Sequence, residues 1–243
     1  MWVRSVRSIS LASTTAAVAA LSMSAPATAG LEAIVTPGYG SAGDKSPVTA
    51  ESSSIGEEIW AGAAKPYGAG PIVDGAIGYR PLPFLSFGMT GGLRRSGASS
   101  VSGRSTYPNP RRQGLQIGIY VRGYLPLVGV LTRLDPWFSV GTNYVYDKQD
   151  YDYGTPRGSQ TPVRISLTHH GFGIPLSLGV DYRVLPFLAV GPSFRYEPVA
   201  GVSACGKSSD VETTYCSSDS PPALVHAADY AIWSFQVELR LAL

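Results

Sequence analysis

Two adjacent histidines, His169 and His170, are the side chains in this sequence best suited to catalysis. A hydroxyl group becomes a nucleophile when a histidine accepts its proton and a carboxylate orients that histidine. The nearby candidates for these two roles are Ser166, Thr168, Asp150 and Asp152. No Gly-x-Ser-x-Gly elbow or other catalytic spacing accompanies them. We therefore expect no enzyme activity, and keep an outer-leaflet lipid-modifying enzyme that uses His169 or His170 as an alternative.

The two cysteines, Cys205 and Cys216, lie close together in a segment rich in Ser and Asp. A zinc site needs further Cys or His ligands at suitable spacing, and the nearest histidine, His226, stands alone. In an exported protein, such a pair forms a disulfide that closes a surface loop and contributes about 2–3 kcal/mol. Gly-rich phosphate loops and zinc signatures are also missing from the sequence, so we expect no metal and no cofactor.

The first 29 residues have the pattern of a secretory signal peptide. Arg4 and Arg7 precede an apolar stretch at 9–21, and Ala27-Thr-Ala29 provides small residues before Gly30. We expect cleavage after residue 29 and one domain over 30–243. The net charge of +2, with 15% charged residues, gives no indication of a nucleic-acid surface.

The elements that must position these side chains are β-strands. The last nine residues alternate strictly, with Gln236, Glu238 and Arg240 on one face. The opposite, apolar face carries Phe235, Val237, Leu239, Leu241 and Leu243. This pattern is typical of a strand that turns one face to lipid and the other to a polar interior.

An internal repeat sets the order of the strands. Tyr79-Arg-Pro-Leu-Pro-Phe-Leu-Ser-Phe-Gly88 returns as Tyr182-Arg-Val-Leu-Pro-Phe-Leu-Ala-Val-Gly191, with a looser copy at 134–141. Each copy joins two apolar-alternating runs through a proline-containing turn. The predicted strands are 31–40, 70–80, 84–94, 114–125, 137–147, 168–182, 187–197 and 232–243. Connections at 81–83, 126–136 and 183–186 are mostly short, whereas 41–69, 95–113, 148–167 and 198–231 are long. We also predict bulges at Pro175 and Pro192, where a ladder donor is lost.

Alternation alone also fits a soluble barrel with an apolar interior. The polar face, however, is rich in Gly and Ser, which suit a narrow interior. Three tyrosines near strand ends, Tyr79, Tyr182 and Tyr196, resemble an interfacial girdle. The side chains then predicted to form an inward polar network are Asp74, Arg94, Arg122, Asp181, Arg195, Glu238 and Arg240.

This arrangement resembles the small eight-stranded outer-membrane barrels, such as the transmembrane domain of outer-membrane protein A and its relatives. The resemblance covers nearly all of 30–243 and rests on architecture, although such chains usually end in Phe or Trp and this one ends in Leu243. It implies an all-β, antiparallel, up-and-down transmembrane barrel with short periplasmic turns and long extracellular loops. It also implies a bacterial outer-membrane location, contact with membrane lipid and insertion by the barrel-assembly machinery.

Eight strands enclose a lumen that side chains can fill. We therefore expect a monomer with a polar plug and an envelope role or a role in binding an extracellular ligand through its loops. The alternative is a narrow channel for small or hydrophobic solutes.

Overall fold

In the computed structural model, the described residues form β-strands joined by turns and longer connections. They comprise 30–42, 46–50, 60–64, 69–96, 111–125, 127, 133–152, 164–208, 214–216 and 229–243. The predicted signal peptide at 1–29 lies outside them. The strands are β1 (Gly30–Ala42), β2 (Ser46–Ala50), β3 (Trp60–Ala64), β4 (Gly70–Leu82), β5 (Leu85–Ser96), β6 (Arg111–Tyr124), β7 (Leu134–Asp152), β8 (Arg164–Gly173), β9 (Leu176–Leu185), β10 (Leu188–Ser208), β11 (Thr214–Cys216) and β12 (Tyr230–Ala242).

The main sheet closes on itself. Its antiparallel neighbours run in the order β1, β4, β5, β6, β7, then β8 with β9, then β10 and β12, and β12 pairs again with β1. Because β8 and β9 follow each other between the same two neighbours, they act as one interrupted strand, and eight strands form the wall. The hairpin β2–β3 forms a separate sheet, and β11 pairs with β10. The predicted eight-stranded up-and-down barrel is confirmed.

The stagger of the strands fixes the width of the barrel. The stagger is counted by following strand partners once around the wall. The path starts at Arg240 on β12, passes through Ile34, Ala76 and Thr90, and returns to β12 at Tyr230, ten residues from its start. Eight strands with this stagger tilt by about 40° and enclose a backbone radius of about 8 Å. Inward side chains from opposite walls can therefore touch.

Short connections gather at one end of the barrel. The turns after β4 and after β9 each contain two residues, and both the start of β1 and the end of β12 lie at this turn end. At the opposite, loop end, the strands are longer than predicted: β7 continues to Asp152, β8 begins at Arg164 and β10 continues to Ser208. The predicted loops 148–167 and 198–231 were therefore too long, because polar residues continue these strands beyond the apolar part.

The predicted bulges at Pro175 and Pro192 are wrong. Pro175 interrupts the strand between β8 and β9, yet the register with β7 and with β10 is the same on both sides of it. Pro192 pairs in regular register with Val237. A missing proline donor costs one hydrogen bond but does not require an extra residue. The register shift between β10 and β8 lies instead between Ala200 and Ser203. Gly201, within this segment, has φ +65°, a conformation that favours glycine.

The apolar side chains face outward. In β6, Leu115, Ile117 and Ile119 are each more than half exposed, whereas Gln116 and Tyr120 are buried. The same alternation holds in β9, β10 and β12. Within the described residues, no helix has the length and apolarity to cross a membrane. A continuous outward apolar surface around a polar interior is the arrangement that lipid requires of a spanning sheet.

Candidate functional site

The barrel interior, or lumen, contains all seven side chains of the predicted polar network. Each is at most 7% exposed. They come from β4, β5, β6, β9, β10 and β12 and share the inward face because they alternate with the outward apolar residues. The seven are Asp74, Arg94, Arg122, Asp181, Arg195, Glu238 and Arg240.

The network has a middle layer centred on Glu197. This carboxylate pairs with Arg94 and, at 3.0 Å, with Arg195. Arg195 also pairs with Asp74, with 3.0 Å between Nη1 and Oδ2. Amide side chains complete the layer: Gln116 Nε2 donates to Asp74 Oδ1 at 2.5 Å, and Asn143 Nδ2 donates to Glu197 Oε1 at 2.9 Å. Two arginines and two carboxylates balance their charges within this layer.

A second layer lies nearer the turn end. Arg122 makes two hydrogen bonds to Glu238, and the Arg122 guanidinium stacks over the Trp137 ring with 3.9 Å between Cζ and the ring centroid. Arg240 pairs with Asp181 at 3.1 Å and with Asp135 at 2.9 Å. Buried ions are costly without such partners, so the pairing explains how the interior retains them.

Two of these ion pairs cross the full width of the lumen. Arg122 on β6 and Glu238 on β12 are four strands apart around the ring, as are Arg94 on β5 and Glu197 on β10. Four strands is half of the ring, so each pair joins opposite walls. The lumen is therefore filled by side chains at both levels.

Sequence reasoning missed four carboxylates of the interior, Glu197, Asp135, Asp147 and Glu32. Glu197 follows Arg195 by two positions and is the last residue of the predicted strand 187–197, so the alternation that placed Arg195 inside was the available signal. Asp135 was assigned to a turn rather than to β7. Glu32 accepts hydrogen bonds from the Tyr124 and Tyr120 hydroxyls at 3.0 and 3.3 Å, and its place between apolar neighbours in the first strand was the available signal.

Two cavities flank the second layer. A cavity of about 420 Å³ opens at the turn end between Glu32, Arg80, Asp135, Arg183 and Arg240. A much smaller one, of about 50 Å³, lies between the two layers and is bordered by residues of both. The second layer therefore separates a water-accessible vestibule from an internal void.

Gly92 leaves room for the middle layer. A Cβ atom at this position would lie 1.9 Å from Asp74 Oδ1 and 2.6 Å from Gln116 Nε2. We expect Gly92→Ala to destabilise the barrel by about 1–3 kcal/mol, because both side chains must move away from their partners. Urea unfolding of the variant in lipid vesicles measures this. Gly91→Ala is the matched control, since its Cβ would lie 3.6 Å from its nearest neighbour, the Gln116 carbonyl oxygen, in ordinary contact. Equal stability of the two variants would contradict this packing.

The candidate catalytic histidines lie on opposite faces of β8. His169 is buried in the lumen and lies opposite Asp147, whereas His170 faces outward near Tyr144, with 6.3 Å between ring centroids. Ser166 shares the outward face with His170, but four residues along a strand separate them by about 13 Å. A nucleophile and its base must lie within hydrogen-bond reach.

The remaining catalytic candidates are no better placed. Asp150 lies opposite Ser166 and pairs with Lys148 at 3.5 Å, and Asp152 lies opposite Arg164. Thr168 Oγ1 donates to the Cys205 carbonyl oxygen at 3.3 Å. The hydroxyl residues directly opposite His170 are Ser203 on β10 and Tyr146 on β7, which sequence reasoning did not consider. In the described part of the chain, no carboxylate pairs with His170.

The other predicted features lie on the outer surface. Cys205 and Cys216 form a disulfide that joins β10 to β11. Tyr79 and Tyr182 are partly exposed near the turn end, and Tyr196 is partly exposed toward the loop end, opposite Trp233. The apolar residues of the C-terminal strand all face outward: Phe235, Val237, Leu239, Leu241 and Leu243. Among the described residues, no three His, Cys, Asp or Glu side chains come together as a candidate metal site.

Comparison with known proteins identifies the fold. No protein-family model and no curated protein matches the chain. Among solved structures, the chain is similar to the outer membrane protein OprG from Pseudomonas aeruginosa, with 10% identity over 88% of this chain and 97% of that one and a TM-score of 0.53. Neisserial surface protein A matches with 15% identity over 88% and 98% of the two chains and a TM-score of 0.48. The similarity to OprG, together with the closed ring of eight strands, shows that the chain has the fold of a small outer-membrane β-barrel.

Proposed function

We propose that this chain is an integral protein of the bacterial outer membrane whose lumen is closed by a polar plug. This proposal rests on two ion pairs that join opposite walls of the lumen. They are Arg122 with Glu238 and Arg94 with Glu197. A solute would have to break both of them to pass. The plug therefore serves to stabilise a rigid, monomeric scaffold, and no catalytic role is assigned to the barrel.

The outward surface supports the membrane location. Its apolar residues form a continuous belt, with aromatic side chains near both ends, including Tyr182 at the turn end and Tyr196 toward the loop end. Aromatic rings of this kind settle at the boundary between headgroups and hydrocarbon. Export through the signal at 1–29 and insertion by the barrel-assembly machinery, which would engage the alternating strand 235–243, complete the proposal.

The functional end of the molecule is the loop end. There β7, β8 and β10 continue beyond the apolar belt, and the disulfide fixes β11 against β10. A rigid extension that carries loops is a suitable platform for binding. We propose an envelope role in which these loops contact an extracellular ligand.

A narrow channel is the second candidate function. The vestibule of about 420 Å³ and the internal cavity of about 50 Å³ are separated only by the second layer of ion pairs. If these ions exchange partners, small solutes could move between the two spaces. The middle layer around Glu197 would still have to open.

Bilayer conductance of the purified chain tests the plug. We expect the wild-type protein to conduct no more than the bare bilayer. We expect R94A/E197A/R122A/E238A to conduct measurably, because this variant removes both ion pairs that join opposite walls and removes equal numbers of positive and negative charges. The matched control is K148Q/D150N, which removes an exposed ion pair outside the lumen.

Gel mobility in detergent, with and without boiling, accompanies the conductance measurement. Closed barrels resist detergent until heated, so protein from purified outer membranes should migrate differently before and after boiling. Absence of this shift, together with recovery from the soluble periplasm, would contradict the membrane barrel. Steady wild-type conductance with the shift present would instead favour the channel.

A further inference from the structure

The wall that extends above the apolar belt carries a polar outer face. It is formed by outward residues of β7, β8 and β10. Tyr146, His170 and Ser203 are strand partners across these three strands, and every second residue from them toward the loop end lies on the same outward face. We call this surface the outer polar face. Its residues are Lys148, Asp150, Ser166, Thr168, His170, Ser203 and Lys207.

Strand pairing holds the two lysines of this face in fixed positions. Lys148 lies opposite Thr168, and Lys207 lies opposite Ser166, so the lysines flank β8 from its two sides. Lys207 also pairs with Thr214 of β11, and the disulfide ties β11 to β10 two residue pairs away, at Cys205 and Cys216. The lysine backbones are therefore part of a regular sheet rather than of free loops.

The height of this face corresponds to the lipid headgroups. Along β7 the outward residues run from Phe138 through Tyr144 and Tyr146 and then change to Lys148. At a tilt of about 40°, each residue rises by about 2.5 Å, so the apolar part of this strand is about 20 Å tall. The apolar belt of such barrels is about 25 Å tall. Lys148 thus stands just beyond the hydrocarbon.

The charge of the face suits an anion. Lys148 and Lys207 are exposed. Arg95 is also exposed and lies level with Lys148, because both residues are strand partners of Gln113. Among the side chains that the structure describes, the acidic group near them is Asp150. Its pair with Lys148 spans 3.5 Å, and the Asp150 and Lys148 side chains are 52% and 47% exposed. Exposed pairs of this kind are weak. A lipid phosphate could replace the carboxylate, and the Ser166 hydroxyl of β8 could donate a further hydrogen bond to it.

We propose that the outer polar face binds the phosphate groups of a phosphorylated glycolipid in the outer leaflet, with Lys148 and Lys207 as its cationic ligands. The occupant is a lipid because the apolar belt directly below continues into this face, so the acyl chains would lie against Tyr144, Phe172 and Tyr196. This inference rests on the proposed membrane location.

Lipid retention tests the inference. The full chain would be reconstituted in phosphatidylcholine vesicles with and without lipopolysaccharide, extracted in mild detergent and assayed by native mass spectrometry for bound lipopolysaccharide. We expect retention by the wild type and about fivefold weaker binding for each lysine removed in K148Q, K207Q and the double variant. K148R/K207R should retain the lipid. R133Q is the control, because it removes an exposed cation at the turn end.

The outcomes separate this inference from the proposed function. Heat-dependent gel mobility is recorded for every sample, and its loss in all vesicles would overturn the membrane barrel itself. A normal mobility shift with equal lipopolysaccharide retention by the wild type and K148Q/K207Q would overturn only the lipid site. Competition by inorganic phosphate at the same phosphate concentration would show that the face selects a free anion rather than the lipid, and would also overturn it.

Discussion

Replacing Glu197 with alanine is expected to destabilise the barrel by about 3–5 kcal/mol. Glu197 is fully buried and is shared by two guanidinium groups, those of Arg94 and Arg195. Removing the carboxylate leaves two positive charges in a confined interior with one acidic partner, Asp74, in their layer. The cost is thus that of an uncompensated buried charge as well as of lost hydrogen bonds.

Urea unfolding in lipid vesicles, followed by tryptophan fluorescence, measures the loss. Glu197→Gln separates charge from shape, and we expect it to lose most of the same stability because the guanidinium groups stay unbalanced. Asp150→Ala is the matched control, since it removes a carboxylate from a half-exposed pair and should cost no more than about 1 kcal/mol. Equal losses at positions 197 and 150 would mean that the interior is open to water.

Introducing an arginine at Ile119 is expected to destabilise the inserted barrel by about 2–4 kcal/mol. Ile119 is 58% exposed and lies midway along β6, between Ile117 and Val121 on the outward face. At the middle of the bilayer, a guanidinium must be desolvated or must distort the lipid. In a water-soluble barrel the same exposed position would accept arginine with little effect, so this substitution tests the orientation of the whole wall.

Gln113→Arg provides the comparison for Ile119→Arg. Gln113 is exposed on the same face of the same strand, but at the loop end. An arginine there reaches the headgroups and should cost at most about 1 kcal/mol. Unfolding free energies of both variants in vesicles measure the depth dependence. Equal stability of Ile119→Arg and the wild type would contradict the lipid-facing assignment.

The strands were predictable because their signal is local. Alternation with period two assigns each residue of 115–122 to a face once one residue is placed, and the closing strand at 235–243 shows the pattern without interruption. The strand ends at the loop side were not predictable in this way. Above the belt, β7 and β10 carry polar residues on the outward face as well as on the inward face. The contrast between apolar and polar faces that marks a lipid-facing strand therefore disappears.

The partners within the lumen could not be predicted from the sequence. Alternation assigns Arg122 and Glu238 to the interior, but their contact depends on the stagger around the ring, which brings β6 opposite β12. The same holds for His169 and His170, where neighbouring positions on a strand point to opposite sides. Chemistry that depends on proximity needs the register, and the register is set by many weak pairings together.

The pairing of β1 with β12 determines when the structure can become complete. The two strands lie at opposite ends of the described chain, and Tyr39 meets Phe235 across the seam. Chain synthesis releases β1 long before β12, so the first strand keeps an open edge that could pair with other molecules. Closure also carries the largest loop entropy of any contact in the barrel. We therefore expect ring closure to be the last step of folding, and the interval before it to be the stage that requires a chaperone.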